Sequence, residues 1–152
     1  DEKGIVVPAE FFESFGTLRL LDIFPLMMAT MKRGATLLVD ELDASLHPMI
    51  IMSFIKIFHN DEINKNGAQL IFNTHNPIFL NKNLFRRDEI KFVEKEEKES
   101  ILYSLSDFGT SGKNGVRNGE NYLKNYFINK YGAITDVDFS DIFEKYMNQE
   151  RK

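Results

Sequence analysis

The chain has no cysteine, so disulfides and thiolate metal sites are excluded, and a reducing cytosol is compatible with that absence. It also lacks an excess of basic charge. With 19 Lys and Arg against 23 Asp and Glu, the formal net charge is -4, and no global cationic footprint of a nucleic-acid binder exists. A local basic patch remains open. No apolar run approaches the ~18 residues that a membrane span requires, and no signal sequence is legible ahead of Ile5, so the expected location is the cytoplasm, with no membrane partner. The first residue is Asp1 rather than Met, which suggests a fragment or a processed piece. What is present is ordinary for a folded protein. Hydrophobic residues make up 43% and charged residues 28% of 152 positions, enough for one domain with a real core.

Along the chain, Ile5 to Val7 reads as a short strand closed by Pro8. Ser14 is placed to cap a helix, and Leu18 to Met31 is apolar on nearly every face, which predicts a buried helix stopped by Gly34 and kinked or interrupted at Pro25. Ala35 to Val39 is β-rich and apolar without alternation, the pattern of a central strand covered on both faces. Pro48 then opens a helix whose Ile50, Ile51, Phe54, Ile55 and Phe58 recur at helical spacing, ending near His59. A second buried strand, Gln69 to Asn73, follows the polar stretch NDEINKNG. Strand, helix, strand at this spacing predicts a βαβ unit with parallel strands and ligands beyond their carboxyl ends.

Downstream, Glu89 to Glu94 and Ile101 to Leu105 flank the charged turn KEEKE and predict a β-hairpin. Gly109 to Asn121 holds four glycines and reads as a mobile loop. Tyr122 to Lys130 predicts a short aromatic helix, and Phe139 to Gln149 an amphipathic helix frayed at Arg151 and Lys152.

Three polar groups could carry chemistry. The strand TLLV runs into Asp40 and Glu41, an acid pair that could meet Mg²⁺ and nucleotide phosphates, or could equally be a strand running out into solvent. His75 lies at the end of the next strand, on the same sheet edge by the βαβ argument, where it could hydrogen-bond a phosphate or serve only the fold. Ser14 and Gly16, in ESFGTLR, would offer a hydroxyl and backbone N–H groups at a helix start, although Ser is also a common cap.

Their order is more telling than any one of them. A Ser-x-Gly helix start, a strand ending in Asp-Glu and a strand ending in His together resemble the C-terminal half of an ABC-type nucleotide-binding domain. In that resemblance Ser14 and Gly16 match the signature motif, Leu37 to Glu41 the Walker B strand, Ala44 to His47 the D-loop and His75 the switch histidine. The longer run ESFGTLRLLDIFP, DELDASLHP, AQLIFNTHN, LFRRDEIKFVEK and ILYSLSDF is similar to AAA-type ATPases of the SMC and OLD (overcoming lysogenization defect) kinship, found in bacterial phage-defence and abortive-infection systems. The resemblance covers Glu13 to Phe108, with a weaker echo in YLKNYF and YGAI.

The resemblance implies an α/β fold: a P-loop NTPase, ABC-like C-terminal half with a largely parallel sheet flanked by helices, a β-hairpin and C-terminal helices, in a single domain over 1–152. It implies ATP and Mg²⁺ as cofactors, Asp40 on the metal, Glu41 and His75 in catalysis, and Ser14, Gly16, Ser45 and His47 on the nucleotide. It also implies a head-to-tail dimer with a second copy and an associated nuclease or toxin effector.

The chain departs from that pattern in several places. Phe15 stands where transporters have the first signature glycine, His47 stands at the transporter Asp of the D-loop, and Asn76 follows His75 where relatives often carry Asp. No P-loop GxxxxGK[ST] is present; GTSGKN at Gly109 to Asn114 has two residues too few between its glycines and Asn after Lys. A P-loop upstream of Asp1, separated by a helical or coiled-coil insertion, is therefore the expectation, with the fragment alone inactive. Two other classes stay in view. Lys113, Arg117, Lys124 and Lys130 near Tyr122, Tyr126 and Phe127 could form a non-catalytic docking segment for an effector, DNA or RNA. Asp40, Glu41 and Asp43 could belong to a metal nuclease, for which a second acid cluster is missing.

Overall fold

A computed structural model describes residues 8–96, 98–110, 115–117, 120–134 and 138–149. The expected strand at 5–7, the glycine-rich stretch at 111–114 and the chain end at 151–152 lie outside the described residues. The chain is mixed α/β and divides into two compact units, Asp1–Arg86 and Arg87–Lys152.

In the first unit, helix α1 runs over Phe15–Arg33, strand β1 over Thr36–Val39, helix α2 over Pro48–Phe58 and strand β2 over Gln69–Phe72. Helix α1 begins where the Ser14 side chain accepts the Thr17 N–H and ends at Gly34, whose φ of 63° is the left-handed stop that only glycine adopts without strain. A Cβ at Gly34 would collide with the carbonyl oxygen of Asn66, while the Asn66 side chain donates to Met31 O and Lys32 O at 3.1 Å each. The loop before β2 therefore caps α1 and fixes where β1 starts. Pro25 lies inside α1 without interrupting it.

Strands β1 and β2 pair in parallel, in the register Thr36↔Gln69 to Val39↔Phe72, as the βαβ pattern predicts. Their inner face, Leu37, Val39, Leu70 and Phe72, packs on a core that includes Ile23, Met27, Ile51, Phe54, Ile55 and Phe79. The outer face differs from expectation: Leu38 is 73% exposed and Ile71 54% exposed, so among the described residues only one side of the sheet is covered. Helix α1 departs in the same way. Ile23, Met27 and Thr30 are buried, while Leu21, Phe24 and Met28 face outward. An apolar run shows that a segment tolerates burial on every side; which sides are covered depends on neighbours.

In the second unit, β3 (Lys91–Glu96) and β4 (Glu99–Ser104) form the expected antiparallel hairpin, followed by helices α3 (Tyr122–Phe127) and α4 (Ser140–Gln149). Among the described residues the sheet content is thus one parallel and one antiparallel pair. Phe92 stacks with Tyr131 at 5.2 Å and with Tyr126 at 6.2 Å between ring centres, and Tyr103 donates to the Tyr131 carbonyl at 2.7 Å. Helix α3 is shorter than the sequence suggests and gives way to a turn in which Asn129 adopts φ 55°.

Candidate functional site

The parallel register places Asp40, one residue past β1, directly beside Asn73, one residue past β2. The chain turns away from both strands there, and Glu41 adopts φ 46° as it leaves β1. Leu42 N–H then donates to Asn73 O at 3.3 Å, folding the segment back over the end of β2. His75, two residues beyond Asn73, brings its Nε2 to 3.6 Å from Glu41 Oε1. That separation exceeds a hydrogen bond, and both groups are well exposed at 88% and 57%, so the pair adds little to stability and stays open to a ligand. Asp40, Glu41 and His75 therefore share one sheet edge.

The remaining predicted residues fall into two places. Ser14 Oγ accepts the Thr17 N–H at 3.1 Å and lies 3.0 Å from Thr17 Oγ1, so its first role is the helix cap. Gly16 is needed for close approach: a Cβ there would stand 2.5 Å from the carbonyl oxygen of Ser45. The start of α1 is thus packed against the Ala44 to His47 loop of the same chain, and Ser45 itself has φ 64°. His47 caps α2, its Nδ1 accepting the Met49 N–H at 3.2 Å. The structure gives His47 this local task and joins it to neither Asp40 nor Glu41 by any hydrogen bond among the described residues.

Two participants escape a reading of the sequence alone. Asn73 donates from Nδ2 to Asp40 Oδ1 at 2.6 Å and accepts the Glu41 N–H on Oδ1 at 2.5 Å. Arg19, on α1, donates to the Asp40 carbonyl at 3.4 Å, while its Nε is buried without a hydrogen-bond partner. It lines a cavity of about 330 Å³ with Ile23, Leu26, Leu38 and Asp40. Register, which is non-local, creates the Asn73 contacts. The Arg in ESFGTLR was a visible signal for Arg19.

The segment considered for docking is mostly committed to its own unit. Lys130 Nζ donates to Glu120 Oε2 at 2.8 Å and to Gly115 O at 3.0 Å, Tyr122 is buried, and Tyr126 stacks on Phe92. Lys130 first, then the Arg117 N–H and the Asn125 amide, hold the Glu120 carboxyl down at about 2. Burial raises the phenol pKa of Tyr103, helped by the Glu94 charge, and burial likewise raises that of Tyr131. Lys113 lies outside the described residues.

Residues 1–81 match the family model described as "AAA domain, putative AbiEii toxin, Type IV TA system". The chain belongs to this AAA-domain family. The match spans more than half of the AAA chain and contains Ser14, Gly16, Asp40, Glu41, Ser45, His47 and His75. No curated protein and no solved structure matches the chain. AAA domains are in general nucleotide-binding ATPases that use Mg²⁺.

The donor chemistry fits such a use. Asp40 is an exposed carboxylate with one oxygen held by Asn73 and, among the described residues, no protein donor on the other. Mg²⁺ keeps most of its water and takes one or two carboxylates plus phosphate oxygens, so a single Asp suffices. Among the described residues no three His, Asp or Glu side chains cluster to form an all-protein cage. No described helix is long and apolar enough to cross a membrane.

Proposed function

We propose that this AAA domain contributes the hydrolytic edge of an ATPase site, with Asp40 on the metal side, Glu41 as the water-orienting base and His75 as the phosphate contact. The observation that carries the reading is the meeting of Glu41 and His75 across the parallel pair, at 3.6 Å, beside Asp40. Bound Mg²⁺ and ATP would supply the scissile phosphoanhydride and neutralise its charge. Glu41 accepts a hydrogen bond from the attacking water and aims it, and Asp40 is the residue that would hold the Mg²⁺ ion. His75 donates from its imidazole to a phosphate oxygen.

No GxxxxGK[ST] occurs within these 152 residues, so the proposed site would take its phosphate cradle from elsewhere. In keeping with the ABC-like resemblance, Ser14 and Gly16 serve the nucleotide of a second copy in a head-to-tail dimer. Support for that comes from the exposure of Ser14 at the start of a 19-residue helix, where backbone N–H groups favour an anion. The wording of the family description supports a setting in abortive infection or a toxin–antitoxin system, with ATP binding and release gating an effector.

The test is turnover by the intact ATPase that carries this chain. Glu41→Gln keeps the shape and removes the base, so ATP should still bind while phosphate release falls by about 10²-fold or more. Turnover equal to the wild type would end the reading.

A further inference from the structure

We propose that Asn73 is a positioning residue, whose carboxamide clamps the acid pair by holding the Asp40 side chain and the Glu41 backbone at once; this rests on the hydrolytic reading of the site. A carboxylate can only accept and a backbone N–H can only donate. The amide of Asn73 answers both, with Nδ2 on Asp40 Oδ1 at 2.6 Å and Oδ1 on the Glu41 N–H at 2.5 Å. Its own backbone is anchored on each side of the same turn, since Asn73 N–H donates to Val39 O at 3.4 Å and Leu42 N–H donates to Asn73 O at 3.3 Å.

The clamp acts where the backbone is least at ease. Glu41 has φ 46°, a left-handed conformation that a non-glycine residue holds only when its surroundings insist. Without the Asn73 acceptor, Glu41 is free to relax towards an extended strand end, and its carboxylate swings away from His75. Without the donor, Asp40 loses the contact that selects its rotamer. Other side chains cannot do both. Aspartate at position 73 would keep an acceptor for Glu41 and set a second carboxylate against Asp40, while alanine would lose both arms.

The two arms can be separated by experiment. In the chain studied by NMR, Asn73→Ala should speed hydrogen exchange at the Glu41 amide by about tenfold or more, whereas Asn73→Asp should leave it near the wild-type rate. Protection at Phe54, in the core of α2, reports whether each variant is folded; should Asn73→Ala unfold, Asn73→Asp carries the comparison. In the intact ATPase, both variants should lower kcat by about 10–100-fold with KM for ATP unchanged, because the acids are misaimed while nucleotide contacts persist. An unchanged Glu41 amide in folded Asn73→Ala, or wild-type kcat in both variants, would overturn the clamp. Wild-type protein that hydrolyses no ATP, with Glu41 protection still lost in Asn73→Ala, would uphold the clamp geometry and overturn the hydrolytic reading alone.

Discussion

At the scale of single residues, the site depends on a few backbone positions as much as on its acids. Gly16 lets the start of α1 approach the Ser45 carbonyl, where any Cβ would sit 2.5 Å from that oxygen. Gly16→Ala should therefore destabilise the protein by about 1–3 kcal/mol, because the neighbour is rigid backbone rather than a yielding side chain. Thermal unfolding of the variant measures this, and an unaltered midpoint would show that the two segments are not packed as described. The shared edge of Asp40, Glu41 and His75 was legible in the sequence because each follows an apolar run. Asn73 was not: its value comes from standing opposite Asp40, and only the strand register creates that. Gly16 was noticed as part of a helix start, yet its partner Ser45 is 29 positions away and no local pattern links them.

At the scale of elements, caps and ties explain where helices and strands stop. Ser14 and Gly34 bound α1, and His47 opens α2 as its cap. In the second unit, Glu120 ties the segment before α3 to Lys130 after it, and also to Asn125 within it. Its carboxyl is depressed from 4.5 to about 2, so its contribution to stability is present above pH 4.5 and is lost as pH falls towards 2. Glu120→Gln should lower stability at neutral pH and leave it almost unchanged near pH 2, which flattens the acid side of the stability curve in that window. Urea unfolding at pH 2.5, 4 and 7 reads this out, and an equally steep acid loss in the variant would refute it. The order of β1, α2, β2 and the hairpin was legible because each carries its own period and turn signals. The end of α3 was not, since the turn through Asn129 interrupts a sequence that still looks helical.

For the molecule as a whole, the open side of the parallel pair is the largest difference from expectation. Parallel strands are normally covered on both faces, and Leu38, Ile71, Phe24 and Met28 leave apolar surface in the open. The chain should bind a hydrophobic dye in its native state, and Leu38→Thr with Ile71→Thr should reduce that signal without lowering stability by more than about 1 kcal/mol. Dye binding unaffected by the double substitution would place the apolar surface elsewhere. Composition and pattern conveyed that β1 is a core-type strand, but a chain cannot show in its own sequence which neighbour covers each face. The family assignment and the shared edge of Asp40, Glu41 and His75 support the proposal that Glu41 drives hydrolysis. The most direct measurement is the identity of the nucleotide retained by the intact AAA protein after incubation with Mg²⁺ and ATP. Wild type should hold ADP and Glu41→Gln should hold unhydrolysed ATP; ADP in both, at equal rates of formation, would contradict the account.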